Sequence, residues 1–208
     1  MTAPRERALM HVLNDVAPDW RTKAIHESSP IERGVSVRLR NECQAYTQTQ
    51  FYPGVTLGVV HDGFRCEDLE RQTFDDAVFD IVITLDVFEH LFDPAAAHRE
   101  IWRTLRDGGV HIFTTPVAGS MPTSSRLADR SEDGSVTYLV PPSYHENPVS
   151  DGKSLVTFLY GYDIADMIVE AAPFDVEIRR FNSKGLGIIG AFTEVIIARK
   201  VRATPATI

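Results

Sequence analysis

Two short stretches of the chain hold residue types that handle protons and cations. Asp86-Val87-Phe88-Glu89-His90 places two carboxylates and an imidazole within one turn of chain, and Tyr144-His145-Glu146 repeats a similar mixture later. Histidine changes charge near neutral pH, so His90 and His145 are candidates for a general base, with Tyr144 beside them. The plain alternatives are that His90 packs in the turn after a strand and that His145 sits on a surface loop. Asp86, Glu89 and His90 also form a ligand set that would suit Mg²⁺ or Mn²⁺ better than a structural zinc. No metal is assigned from the sequence.

The elements that must position these residues follow from periodicity. Phe79–Leu85 (FDIVITL) is a β-branched apolar run, the pattern of a strand buried on both faces. Pro94–Leu105 is helical, with Asp93 as N-cap, Pro94 in the first turn and Gly108-Gly109 beyond its end. Val110–Thr114 is again a strand. Strand, helix, strand at this spacing predicts a parallel crossover unit. Lys23–Glu27, Ala45–Phe51 and Phe64–Asp68 are earlier strand candidates. Pro4–Val16 carries an amphipathic helical pattern, and Ile31–Cys43 has Val35, Leu39 and Cys43 at helical spacing. After Asp163–Ala172, helical by pattern, Phe174–Phe181 and Thr193–Arg199 form a late strand pair. The expectation is one domain over residues 1–208. Its fold class is α/β: a Rossmann-like, doubly wound, mostly parallel sheet with helices on both faces and an antiparallel last strand. A long insertion at about 117–160 is rich in Pro, Ser and Gly, and loops of that length inside a domain are usually functional. Within it Arg126–Asp133 reads as a solvated segment. Gly185-x-Gly187-x-x-Gly190 lies between the late strands with no helix pattern after it, so it reads as a turn.

Composition narrows the function classes. With 21 Lys plus Arg against 29 Asp plus Glu in 208 residues, the formal charge is −8. That balance disfavours holding a nucleic-acid backbone by charge. No apolar run approaches a membrane span, and the N-terminal residues do not read as a signal peptide. Cys43 and Cys66 are too few for a disulfide framework and are not spaced as a zinc site. Cytoplasmic residence is expected, with no nucleic acid and no membrane as partner.

The words EDLERQTFDDAVFDIVITLDVFEHLFDP and TLRDGGVHIFTTP, from Glu67 to Pro116, resemble the class I S-adenosylmethionine-dependent methyltransferases, particularly their small-molecule branch. The resemblance implies that Asp68, with Leu69, ends the third strand near the adenine. It implies that Phe79-Asp80 opens the fourth strand and that Asp86 and Val87 at its end face cofactor and acceptor. Leu105-Arg106-Asp107-Gly108-Gly109 would then introduce the fifth strand. The first strand should lead into an acidic residue and Gly-x-Gly-x-Gly. Here the chain reads Glu27-Ser28-Ser29-Pro30-Ile31-Glu32-Arg33-Gly34. Glu27 matches the acid and Gly34 the last glycine with one residue inserted, while Ser28 and Ser29 would offer backbone. Gln50 stands where a carboxylate usually takes the ribose hydroxyls, and it lacks the charge that strengthens such bonds.

The resemblance implies S-adenosylmethionine as cofactor and a small-molecule or glycan-like acceptor. The family often builds the acceptor site from the insertion, which points to Tyr144 and His145. Some RNA-end methyltransferases bind a divalent ion through Glu-x-x-Glu-His and a later His, and His145 would be that residue here. The net charge speaks against RNA. Two further readings stand beside the enzyme. One is a non-catalytic binding or scaffold protein of the same fold with a decayed cofactor loop. The other is a Rossmann-like protein using a different nucleotide. Weak cofactor binding is expected, held mainly from the third and fourth strands.

Overall fold

The computed structural model describes residues 3–146 and 152–201. Eight strands form one sheet. In chain order these are β1 (Ala24–Ser28), β2 (Ala45–Gln50), β3 (Val60–His61), β4 (Phe64–Cys66), β5 (Phe79–Leu85) and β6 (Leu105–Thr114), with β13 (Phe174–Arg180) and β14 (Glu194–Lys200) from the C-terminal part. Their order across the sheet is β13-β14-β6-β5-β1-β2-β4-β3. Strands β6, β5, β1, β2 and β4 are parallel neighbours, and β14 runs antiparallel to both β6 and β13. The expected adjacency of the first strand and FDIVITL is present, with Ile25 opposite Ile81 and Ser28 opposite Thr84. From β1 the chain builds outward through β2 and β4, then returns to place β5 on the other side. The order therefore reverses between β1 and β5, and a crevice opens at their carboxyl ends.

Helices cover both faces, as the buried apolar strand pattern requires. On one face α1 (Pro4–Val16) and α2 (Gly34–Glu42) bury Leu9, Val12, Leu13, Val35 and Leu39 with Trp20 against Ile25, Ile81 and Ile83. On the other, α3 (Pro94–Thr104) and α4 (Ile164–Ala171) bury Ile101, Ile164 and Ile168 against Val82, Phe113 and Ile196. The alternation of Ile81, Val82 and Ile83 between the two cores is the period-2 geometry of a strand. Asp93 caps α3 as expected, its side chain accepting from the Ala96 amide at 2.9 Å. No helix among the described residues is long and apolar enough to cross a membrane.

One boundary differs from expectation. Strand β6 starts at Leu105, directly after α3, and not at Val110. Leu105 pairs with Phe79, and pairing resumes only at Val110 with Ile81, so Arg106–Gly109 bulge out. The glycines permit this: Gly108 has φ of 76°, and a Cβ on Gly109 would lie 2.9 Å from the Arg106 carbonyl oxygen.

The insertion leaves and re-enters the sheet through one neck. Val117 and Tyr160 form a parallel bridge, and the Ala118 amide donates to the Tyr160 carbonyl at 2.8 Å. Just past the neck, a Cβ on Gly161 would lie 2.7 Å from the Met121 carbonyl oxygen, so the backbones meet there only because glycine is present. Inside are short antiparallel pairs: β7 (Ser125–Arg126) with β12 (Phe158–Leu159), β8 (Ala128–Arg130) with β9 (Val136–Tyr138), and β10 (Tyr144–Glu146) with β11 (Lys153–Leu155).

Candidate functional site

The crevice at the switch point is shaped by two residues of unusual backbone. Ser29, just past β1, has φ of 54°, and Asp86, just past β5, has φ of 52°. Left-handed geometry at non-glycine residues is uncommon and clusters at ligand sites. Ser29 does what a glycine would do in this loop, and its amide donates to the Thr49 carbonyl at 2.8 Å.

Ser28, Ser29, Asp68, Leu69, Val87 and His90 line one small cavity of about 130 Å³, together with Phe51, Glu70, Phe92 and Arg130. A second cavity of about 450 Å³ adjoins it and shares Phe51, Asp68, Glu70 and Arg130. Of the residues common to both, Arg130 and Glu70 form an ion pair at 2.6 Å, with the Arg130 guanidinium also 4.7 Å from the centre of the Phe92 ring. Arg130 belongs to the Arg126–Asp133 segment expected to be solvated. The segment is mostly exposed, as expected, but Ala128 is buried, Arg126 lies over Phe158, and Arg130 reaches back to the crevice. Sequence reasoning missed Arg130 and Glu70 because a mixed-charge run looks the same whether it is solvated or paired with distant elements.

The other residues named from the sequence are placed differently. Glu27 is fully buried; its carboxyl oxygens accept from Ser36 Oγ at 2.5 Å and Tyr46 Oη at 2.7 Å. Burial pushes this carboxyl up to about 7, against the pull of those two hydrogen bonds. Glu27 thus braces β1 against α2 and β2 and does not line the cavity. Gly34, with φ of 57°, opens α2. Gln50 ends β2, and its Oε1 is buried without a hydrogen-bond partner among the described residues. Asp86 is turned away from the cavity, paired with Arg5 Nε at 2.7 Å and accepting from Thr114 Oγ1 at 3.0 Å. Burial raises the Asp86 carboxyl, with the Arg5 charge opposing.

Glu89, His90 and His145 come together across the seam between sheet and insertion. One atom of each lies within 4.8 Å of the others. His90 Nε2 and His145 Nδ1 each stand 3.9 Å from Glu89 Oε1. Glu89 is 2% exposed, and its Oε2 accepts from Thr115 Oγ1 at 3.0 Å. Burial and the neighbouring Asp86 push its carboxyl up to about 8. Burial lowers His90, while the Leu155 carbonyl, 2.8 Å from Nδ1, pulls the other way. The turn that carries them is clamped from the insertion: Thr157 donates its amide to the Glu89 carbonyl at 2.7 Å, and Tyr160 Oη donates to the Phe88 carbonyl at 3.1 Å. Alternation along β10 sets His145 toward the cluster and Tyr144 outward. Tyr144 is 46% exposed, with its hydroxyl 3.5 Å from that of Tyr138. Of the three residues expected to do chemistry, the geometry assembles His90 and His145 and leaves Tyr144 aside.

A methyltransferase domain model matches residues 40–113. No curated protein matches the sequence significantly. Many solved structures share the fold. A S-adenosylmethionine-dependent methyltransferase from Mesorhizobium loti aligns with a TM-score of 0.59 at 14% identity, over 92% of this chain and 97% of that one. The [4+2]-cyclase SpnF aligns with a TM-score of 0.60 at 14% identity, over 95% and 82%. The 1,6-didemethyltoxoflavin-N1-methyltransferase of Burkholderia thailandensis, solved with 1,6-didemethyltoxoflavin and S-adenosylhomocysteine, aligns with a TM-score of 0.55 at 15% identity, over 95% and 78%.

Proposed function

We infer that this chain is a class I S-adenosylmethionine-dependent methyltransferase and that it methylates a small-molecule or glycan-like acceptor in the cytoplasm. The observation that carries the inference is the convergence of Ser28, Ser29, Asp68, Leu69 and Val87 on one cavity at the reversal of strand order. Gln50 Oε1 at the end of β2 is buried and unpartnered among the described residues and Gln50 lines neither cavity, so a ribose contact there requires the side chain to turn outward. The two adjoining cavities together reach the size range of ligand pockets.

When bound, S-adenosylmethionine supplies an electrophilic methyl group on a sulfonium. The chain's task is to align the acceptor for in-line attack and to exclude water. The left-handed turn at Ser29, which lets the backbone pass close to the cavity, and the Asp68 carboxylate orient the adenosine half. The Glu89–His90–His145 cluster, at the carboxyl end of β5, receives the acceptor's nucleophilic atom. His145, half exposed on its hairpin, is the side chain placed to take a proton from a hydroxyl acceptor. The insertion closes over the crevice and carries the acceptor surface, as lids on this kind of sheet do.

The test is titration with S-adenosylhomocysteine. Weak binding, on the order of the upper micromolar range or looser, is expected for the wild type. It should tighten about tenfold in Gln50→Asp, through one charge-assisted hydrogen bond to ribose, and weaken in Asp68→Ala. No binding by any of the three would favour a second reading, a non-catalytic protein of this fold. The missing glycines and the sealed Glu27 carboxyl are the observations on that side. The shared fold of a cyclase shows that fold alone does not fix the reaction.

A further inference from the structure

We propose that Arg180 and Tyr162, on either side of Gly119, form a subsite for a carboxylate carried by the acceptor. Both side chains hold donors that the fold does not use. Arg180 Nε donates to Glu194 Oε1 at 2.7 Å. Among the described residues no hydrogen bond engages the two terminal nitrogens of Arg180 or the hydroxyl of Tyr162. Gly119 is exposed, and a Cβ on it would lie 3.6 Å from Tyr162 Oη and 3.9 Å from Arg180 Nη2. Two unused donors therefore stand around one point that a glycine leaves open. A carboxylate at that point accepts from a guanidinium and a hydroxyl together, a charge-assisted pairing to which arginine is well shaped.

The fold fixes this guanidinium from behind and leaves its outer edge open. Glu194 is 5% exposed, whereas the Arg180 side chain is 53% exposed. The pair is one-armed: Glu194 Oε2 is buried without a partner among the described residues, where a fork-to-fork pairing would have consumed a terminal nitrogen of Arg180 as well. The Arg180 guanidinium carbon also lies 5.1 Å from the centre of the Tyr162 ring. An arginine already held on two sides loses little freedom when it takes an anion.

The position of the subsite says what kind of acceptor it serves. Phe174, Val176 and Ile178 of β13 and Ile196 and Ala198 of β14 face the core under α3 and α4. Arg180 and Glu194 continue that alternation and stand opposite each other in the register, at the carboxyl edge of the parallel strands. On the neighbouring β6, Phe113 faces the same core, and Thr115, two residues further on, donates to Glu89. Arg180, Glu194 and Thr115 thus follow one another along one face of the sheet toward the Glu89–His90–His145 end of the crevice. Strands β13 and β5 are three places apart, about 14 Å at the usual spacing. The acceptor that fits carries a carboxylate at one end and its methylated atom at the other, and is long enough to cross those strands. This deepens the methyltransferase reading and rests on it; carboxylate binding at Arg180 does not.

The experiment titrates the full chain with benzoate, without cofactor or acceptor, and follows the arginine Nε–Hε resonances by NMR, that of Arg180 being assigned by its loss in Arg180→Lys. A saturable shift at Arg180 with a Kd of about 1–10 mM is expected for so small an anion. Benzamide, of the same shape without the charge, should leave the resonance unmoved, and Arg71, another exposed arginine, should not follow the Arg180 curve. Tyr162→Phe keeps the exposed ring, removes only the hydroxyl and should weaken benzoate binding about threefold. Gly119→Ala sets a methyl group at the open point and should weaken it about tenfold. The added Cβ meets its neighbours at ordinary contact distances, so this variant should fold as the wild type, checked by circular dichroism. No saturable shift at Arg180, an equal response to benzamide, or wild-type affinity in either variant overturns the proposal. S-adenosylhomocysteine titration of the same protein separates the two readings: benzoate binding without cofactor binding would keep the carboxylate subsite and remove the methyltransferase role, and the reverse outcome would do the opposite.

Discussion

Replacing Glu27 by Gln should remove a specific part of the protein's pH dependence. In the fold this carboxyl is fully buried and titrates at about 7, raised from 4.5 mainly by burial. Below pH 4.5 it is protonated in both folded and unfolded chains, and its contribution to stability is fully present. As pH rises from 4.5 to 7 the unfolded chain ionises it first, and stability falls. Above about 7 the loss is complete. At about 1.4 kcal/mol per factor of ten, a rise of 7 − 4.5 = 2.5 corresponds to about 3 kcal/mol. For a chain of this size that is a melting-point difference of about 6–12 °C. Gln keeps one acceptor oxygen for one of the two hydroxyls, its NH2 donates to the other as the protonated acid would, and it does not ionise. The assay is thermal unfolding of wild type and Glu27→Gln from pH 4.5 to 8.5. The two curves should start close together and diverge with rising pH, the variant becoming the more stable above pH 7. Parallel curves would refute the reasoning, since they would mean that the Glu27 proton equilibrium is the same in both states.

Two other outcomes follow from the same geometry. Arg130→Ala removes the partly exposed pair with Glu70, worth on the order of 1 kcal/mol. If that pair closes the cavity over the cofactor, release of S-adenosylhomocysteine should be about fivefold faster by stopped flow, and an unchanged rate would show that the pair does not retain the ligand. His98 is buried, stacks on Phe88 with ring centres 4.5 Å apart, and is held down at about 3 by burial, so it costs stability as pH falls below 6.5, where the unfolded chain gains the proton. His98→Phe should shift acid unfolding to lower pH by about half a unit or more, and an unmoved acid transition would show that His98 is not what drives it.

The sheet was legible because its signals are local and strong. FDIVITL can be buried on both faces and little else, and Asp93-Pro94 marks a helix start that the structure keeps. The start of β6 was not, because Gly108-Gly109 reads as a stop for the preceding helix when its actual use is to let a strand bulge. The short strands of the insertion carry two or three residues each, too few for a periodic pattern. Their positions come from contacts with the sheet, such as Thr157 on the Glu89 carbonyl, and no sequence spacing encodes those. Within the site, the meeting of His90 with His145 was suggested only by the resemblance to RNA-end methyltransferases, and the separation of His145 from Tyr144 depends on which face of β10 turns inward. Glu27 and Asp86 were identified as chemically interesting, yet their partners Ser36, Tyr46, Arg5 and Thr114 come from other elements. A carboxylate already satisfied looks the same in sequence as one waiting for a ligand.

The bridge between Val117 and Tyr160 makes the insertion a detachable cassette. Its two ends are neighbours, so the chain between them can be lengthened, shortened or exchanged while β6 and α4 keep their places, and the entropy of closing a loop grows only slowly with its length. The base of the insertion belongs to the frame, because Val117, Phe158 and Tyr160 pack in one of the two cores, so an exchange has to keep those three residues. The insertion supplies His145, the Leu155 carbonyl on His90 and the Arg130 partner of Glu70 together, so an exchange would replace all three in one event. Such a chain can acquire a new acceptor without passing through intermediates that threaten its own folding.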